Sequence, residues 1–134
     1  MSKSVLIVDD DSNAAFMVES MLEYLGVGAD RAENGRVAVA KAAAGDYAAI
    51  LMDIEMPEMD GLEATKAIRT HEAETAGAPV VAPIIAMTGH TTTGMKLLCE
   101  KAGMTTMLLK PFSLDALRDK LAETCGNDLE MVEL

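Results

Sequence analysis

The stretch Leu51-Met52-Asp53-Ile54-Glu55-Met56-Pro57-Glu58-Met59-Asp60-Gly61 lies near the middle of a 134-residue chain and decides how the rest is read. It closes the apolar run Ala48 to Met52, halts at Asp53, and leaves regular structure through Pro57 and Gly61. A run this short, bounded by an acid and turn formers, predicts a buried strand whose end carries a carboxylate. The core behind such an acid holds it rigidly while the loop leaves it reachable, which is how binding and reactive sites are usually built.

The same pattern recurs outward in both directions. Val5 to Val8 predicts a buried strand ended by Asp9-Asp10-Asp11. Ser12 or Asp11 caps a helix whose apolar positions Met17, Val18, Met21, Leu22 and Leu25 fall at helical spacing until Gly26. Ala29 to Ala32 predicts a strand, mainly because a connection is needed there. Asn34-Gly35 marks a turn, and Val37 to Ala44 predicts an alanine-rich helix stopped by Gly45.

Beyond the central stretch, Leu62 to about Arg69 predicts a helix with Ala64, Ala67 and Ile68 on one face, and Thr70 to Pro83 a long loop. Ile84 to Met87 predicts a strand closed by Thr88 and a flexible segment from Gly89 to Gly94. Met95, Leu98, Cys99 and Ala102 mark the next helix, ended by Gly103. Thr106 to Leu109 predicts the last strand, delivering Lys110-Pro111. Ser113 then caps a helix with Leu114, Leu117, Leu121 and Cys125 inward, which Gly126 stops. Residues 1–126 read as one domain and 127–134 as a short acidic tail. Strand and helix alternate about five times, which predicts an α/β fold: a parallel sheet with helices on both faces and right-handed crossovers.

Composition narrows the function classes. Half the residues are apolar, which excludes a disordered chain. No apolar run approaches the roughly 18 residues of a membrane span, and the run after Met1-Ser2-Lys3-Ser4 is too short for a signal-peptide core, so a cytoplasmic protein is expected. The net charge of −11 repels phosphate backbones and anionic lipid, so neither nucleic acid nor membrane is an expected partner. Four aromatic residues, Phe16, Tyr24, Tyr47 and Phe112, leave few stacking platforms. Cys99 and Cys125 have no metal-ligand spacing and read as small buried apolar residues. Most of the eleven methionines read as core filler, with Met56 and Met59 offering an adaptable contact surface in the central loop.

In open parallel sheets ligands bind beyond the carboxyl ends of the strands. The residues collected there are Asp9, Asp10, Asp53, Thr88 and Lys110. Two carboxylates about 4 Å apart repel by roughly 4 kcal/mol at an effective dielectric near 20, so three together call for a cation. Oxygen ligands favour Mg²⁺ or Ca²⁺ over zinc, and a small open site suits Mg²⁺. A carboxylate beside Mg²⁺, a lysine and a hydroxyl makes a phosphoryl-accepting site: Asp53 as nucleophile forming an acyl phosphate, Lys110 countering charge, Thr88 donating a hydrogen bond. Singly, the acids at 9 to 11 read as helix caps, Thr88 as the start of a turn, Lys110 as a surface lysine, and His71 and His90 as solvated. Joint placement at strand ends sets the functional reading above them.

Val8-Asp9-Asp10, Met52 to Gly61, Ala86-Met87-Thr88-Gly89 and Leu109-Lys110-Pro111-Phe112, in this order, resemble the receiver domains of two-component response regulators. The resemblance covers nearly the whole chain. It implies a doubly wound, flavodoxin-like (βα)₅ fold with strand order 2-1-3-4-5, like the chemotaxis regulator. It implies phosphoryl transfer to Asp53 from a histidine kinase or histidine phosphotransfer protein. It also implies Mg²⁺ on Asp10, Asp53 and the Glu55 carbonyl, with Asp9 joining directly or through water. Relatives pair the switch threonine, here Thr88, with an aromatic residue on the last strand. This chain has Met107 there, which departs from the aromatic form while still able to repack. Glu55 and His90 occupy positions that tune phosphoryl lifetime in relatives.

The chain ends with its fifth helix, and the wording around Gly61 to Thr65 and Ile84 to Thr88 resembles receivers of hybrid histidine kinases, so both a stand-alone regulator and an excised module fit. No enzyme activity beyond its own phosphorylation and dephosphorylation is expected. Two rivals stand beside this reading. An aspartyl-phosphate hydrolase of the haloacid dehalogenase kind needs an Asp where Glu55 stands, and a cap domain. A receiver-like interaction module that no longer phosphorylates would not need Asp9, Asp10, Asp53, Thr88 and Lys110 together.

Overall fold

A computed structural model describes residues 3–56, 59–74, 82–89 and 92–132. Pro57 and His90, and positions 75–81 of the expected long loop, lie outside the described residues. Five strands, β1 (Ser4–Val8), β2 (Ala29–Ala32), β3 (Tyr47–Asp53), β4 (Ile84–Thr88) and β5 (Thr106–Leu109), form one parallel sheet in the order β2-β1-β3-β4-β5. Between and after them run α1 (Ser12–Tyr24), α2 (Gly35–Ala44), α3 (Gly61–Glu74), α4 (Thr93–Ala102) and α5 (Leu114–Cys125). This is the doubly wound arrangement, with the order reversal between β1 and β3 where such sheets open a crevice.

Both faces of the sheet are buried, so the strands are continuously apolar and their period of two sorts side chains between two cores. Val5, Ile7, Ala49, Leu51, Ile85, Met87 and Leu108 pack with α1 and α5. Leu6, Val8, Ile50, Met52, Ile84 and Ala86 pack with α2, α3 and α4.

Local signals set the helix ends. Asp11 accepts from the amides of Asn13 and Ala14, Asn34 from Val37, and Ser113 from Ala116. The turn expected at Asn34-Gly35 is therefore a helix cap. Gly103 closes α4 in the left-handed region at φ 104°. Three local expectations change. α3 continues to Glu74, well into the expected loop. α4 begins at Thr93, capped by Thr92, so the end of the expected flexible segment is helical. Met17 and Leu98, placed on inner faces by periodicity, are 64% and 51% exposed. After α5, Gly126–Asp128 makes a 3₁₀ turn, and Leu129 is buried in the α1/α5 core.

Candidate functional site

Strand periodicity and register assemble the site. Asp9 continues the Val5, Ile7 side of β1, Asp53 the Ala49, Leu51 side of β3, and Lys110 the Leu108 side of β5, so all three emerge on the α1/α5 side. Val8 pairs with Met52 across the ladder, which brings Asp9 level with Asp53. Thr88, buried at the end of β4, continues the Ile84, Ala86 side, that of the α2/α3/α4 core, and its carbonyl accepts from the Lys110 amide at 2.7 Å.

Asp9 and Asp53 are buried and Asp10 is exposed at the rim. One carboxylate oxygen from each lies within 4.8 Å of the others, so among the described residues these three form the cluster with metal-ligand spacing. Lys110 Nζ stands 3.3 Å from Asp53 Oδ1 and 3.6 Å from Asp9 Oδ2. Asp53 Oδ1 also accepts from the Glu55 amide at 3.2 Å, and Asp9 Oδ1 from the Asp11 amide at 3.0 Å. Burial pushes the Asp53 carboxyl up to about 6; Lys110 pulls it down and the Asp9 charge pushes it up again.

Asp9 Oδ2 is buried and makes no hydrogen bond. A buried anionic oxygen without one is costly. Three convergent carboxylates with such an oxygen among them fit a hard divalent cation, since every donor is oxygen. Glu55, two residues after Asp53, is exposed. Met107 is half-buried against the α2/α3/α4 core, on the side of the sheet where Thr88 lies.

Three features were missed from sequence. Gly61 packs so tightly under the site that a Cβ there would collide with the Asp53 carbonyl oxygen. The Lys110–Pro111 peptide is cis, for which the Lys-Pro pair was the available signal. An apolar groove of about 370 Å³ opens beside Asp9 and Lys110, walled by Ala14, Met17, Val18 and Met21 of α1 and by Pro111 and Phe112. Both cysteines are buried, and burial pushes both thiols up, as their reading as apolar residues requires.

Residues 5–122 match the family model described as the response regulator receiver domain. The chain belongs to the response regulator receiver family. As a receiver it is 35% identical over 109 residues to the sensor histidine kinase GacS of Pseudomonas protegens, covering 81% of this chain and 12% of that kinase. The chain thus spans a small part of the curated relatives it matches. Among solved structures, the receiver domain of the sensor histidine kinase PA1611 from Pseudomonas aeruginosa carries a magnesium ion coordinated in its active-site cleft. It superposes with TM-score 0.81 at 35% identity, over 95% of this chain and 100% of that one. The receiver domain of Ssk1 from Saccharomyces cerevisiae, crystallised with the histidine phosphotransfer protein Ypd1, gives TM-score 0.82 at 30% identity over 92% of this chain and 89% of that one. The sheet order is the one expected of such receivers. The domain is a receiver of two-component signalling. Among the described residues no helix is long and apolar enough to cross a membrane.

Proposed function

We propose that Asp53 accepts a phosphoryl group from a phosphohistidine of a histidine kinase or histidine phosphotransfer protein, and that the phosphorylated domain changes its binding to a downstream protein. The observation that carries this is the convergence of buried Asp53 and Asp9 on Lys110 Nζ at the strand ends, with Asp9 Oδ2 left without a hydrogen bond. Asp53 attacks phosphorus as its carboxylate; a P–O bond forms, the P–N bond to the donor imidazole breaks, and the ring nitrogen keeps the electron pair. Lys110 already lies against Asp53 and counters charge on the transferring oxygens.

Asp9, Asp10, Asp53 and the Glu55 carbonyl would hold Mg²⁺, which supplies charge neutralisation to the phosphoryl oxygens when bound. The phosphorylated Asp53 carries about two negative charges. These draw Lys110 and the Thr88 hydroxyl, and Met107 repacks in place of an aromatic partner. Glu55, exposed beside Asp53, sets phosphoryl lifetime together with His90. The donor imidazole must arrive on another protein, and the apolar groove beside Lys110, with exposed Phe16 and Met17 on the same helix, suits a helix of that donor. The domain acts as a phosphoacceptor rather than as an enzyme on other substrates, in the cytoplasm where such donors work.

Intact-mass measurement after incubation with Mg²⁺ and acetyl phosphate or phosphoramidate tests this. The native chain gains one phosphoryl mass and Asp53→Asn gains none; equal gain by both, or none by the native chain, removes the proposal.

A further inference from the structure

α4 is held firmly at one end. Its C-terminal half buries Cys99 and Ala102, and Met104 beyond it is buried as well. There the Gly103 amide bonds back to Cys99 and Glu100, the Thr105 amide donates to the Ile84 carbonyl at 2.8 Å, and the Thr105 hydroxyl accepts from the Ile84 amide at 3.0 Å. Arg69 of α3 adds a clamp. Its Nε donates to the Gly103 carbonyl at 2.9 Å and its Nη1 to the Ala82 carbonyl at 2.8 Å, while Glu72 Oε1 holds Nη1 at 2.8 Å. Glu72 Oε2 in turn accepts from the Ala82 amide at 3.2 Å. The fork of one guanidinium thereby ties α3, the entry to β4 and the turn after α4, which a lysine could not do. Fit is close enough that a Cβ at Gly103 would lie 2.8 Å from Arg69 Cγ.

The other half of α4 buries no side chain. Thr93, Gly94, Lys96, Leu97 and Leu98 are exposed and Met95 is half-buried. Gly94 faces open space, and the first turn rests on its own bonds, Met95 and Lys96 amides to Thr92. Segments with few buried apolar contacts open at lower free energy than those locked into a core. That loosely held end is the one reached from Thr88 and the phosphoryl site, whereas the clamp sits at the far end of the strands.

We infer that Arg69 is the hinge clamp of α4: it pins the C-terminal end of the helix, so the N-terminal half, with its exposed Leu97 and Leu98, swings from that pivot. This deepens the proposed switch, and only its phosphorylated arm rests on Asp53 accepting a phosphoryl group.

Residue-resolved amide hydrogen exchange on the full chain tests it. In the resting protein Lys96, Leu97 and Leu98 exchange at least tenfold faster than Met104 and Thr105. In Arg69→Met, Gly103, Met104 and Thr105 speed up at least tenfold while Leu6 and Ile50 in the central strands change less than twofold. Glu72→Gln, which keeps shape, gives the same pattern more weakly and serves where Arg69→Met folds poorly. With Mg²⁺ and acetyl phosphate, loading confirmed by intact mass, the native change is confined to residues 92–98. Uniform exchange along α4, a loss of protection spread evenly over the core in both variants, or a phosphorylation response centred on residues 99–105 overturns the hinge. Absence of added mass counts against Asp53 alone, because the resting arms judge the clamp without it.

Discussion

At the scale of the residue, the acids and Lys110 were legible because each ends an apolar run, and parity then decided which side of the sheet they share. Thr88 was legible as a strand end, but the side of the sheet it shares depends on the burial of Ile84 and Ala86 against α2, α3 and α4, which sequence alone does not order. Burial disfavours the Asp53 carboxylate by more than the attraction of Lys110 restores, and the Asp9 charge adds to that cost. Asp53→Asn, measured by thermal unfolding without divalent ions, is expected to be more stable than the native chain by about 1–2 kcal/mol, a rise of a few degrees. A second titration lies at the β2 edge. Tyr47 donates to Asp30 Oδ2 at 2.8 Å, and burial followed by that carboxylate raises its phenol from 10.0 to about 12. The raised value means that this interaction stabilises the fold fully below the unfolded value and is lost as pH rises through about 12. In a Tyr24→Phe background, phenolate absorbance should titrate near that value, and Asp30→Asn should bring the midpoint down toward the ordinary one.

At the scale of the element, helix caps and strand runs were readable and tertiary clamps were not. α3 outlasts its apolar pattern because Arg69 and Glu72 near its end bond to Ala82 and Gly103, partners far along the chain. Met17 satisfies helical spacing yet lines an open groove, since spacing ranks faces without saying which neighbour covers them. Gly61 begins α3 directly against the backbone of Asp53. Gly61→Ala should therefore cost about 1–3 kcal/mol in denaturant unfolding and slow phosphorylation of Asp53, because only a shift of that backbone relieves the overlap. The segment after α5 reads as acidic, but Leu129 is buried and belongs to the same core as α1 and α5. Leu129→Ala should cost about 2–5 kcal/mol in the same assay with Asp53 phosphorylation retained.

At the scale of the whole molecule, alternation of short apolar runs with amphipathic segments was enough for a parallel sheet covered on both faces. Its strand order came from the resemblance and matches the observed one. That order places β1 beside β3, so acids separated by more than forty positions share one crevice with a lysine from β5. A net charge of −11 biases the molecule toward cations in general, whereas the cluster of Asp9, Asp10 and Asp53 focuses that bias at one point. Millimolar Mg²⁺ should raise the unfolding temperature of the native chain and raise that of Asp53→Asn less, by the linkage of binding to folding. The most direct measurement is chemical trapping of the acyl phosphate. After loading with acetyl phosphate and Mg²⁺, borohydride reduction followed by peptide mass spectrometry should convert Asp53, and no other acid, to homoserine. Conversion at Asp9 or Asp10 instead, or none in a protein that has gained phosphoryl mass, would contradict Asp53 as the acceptor.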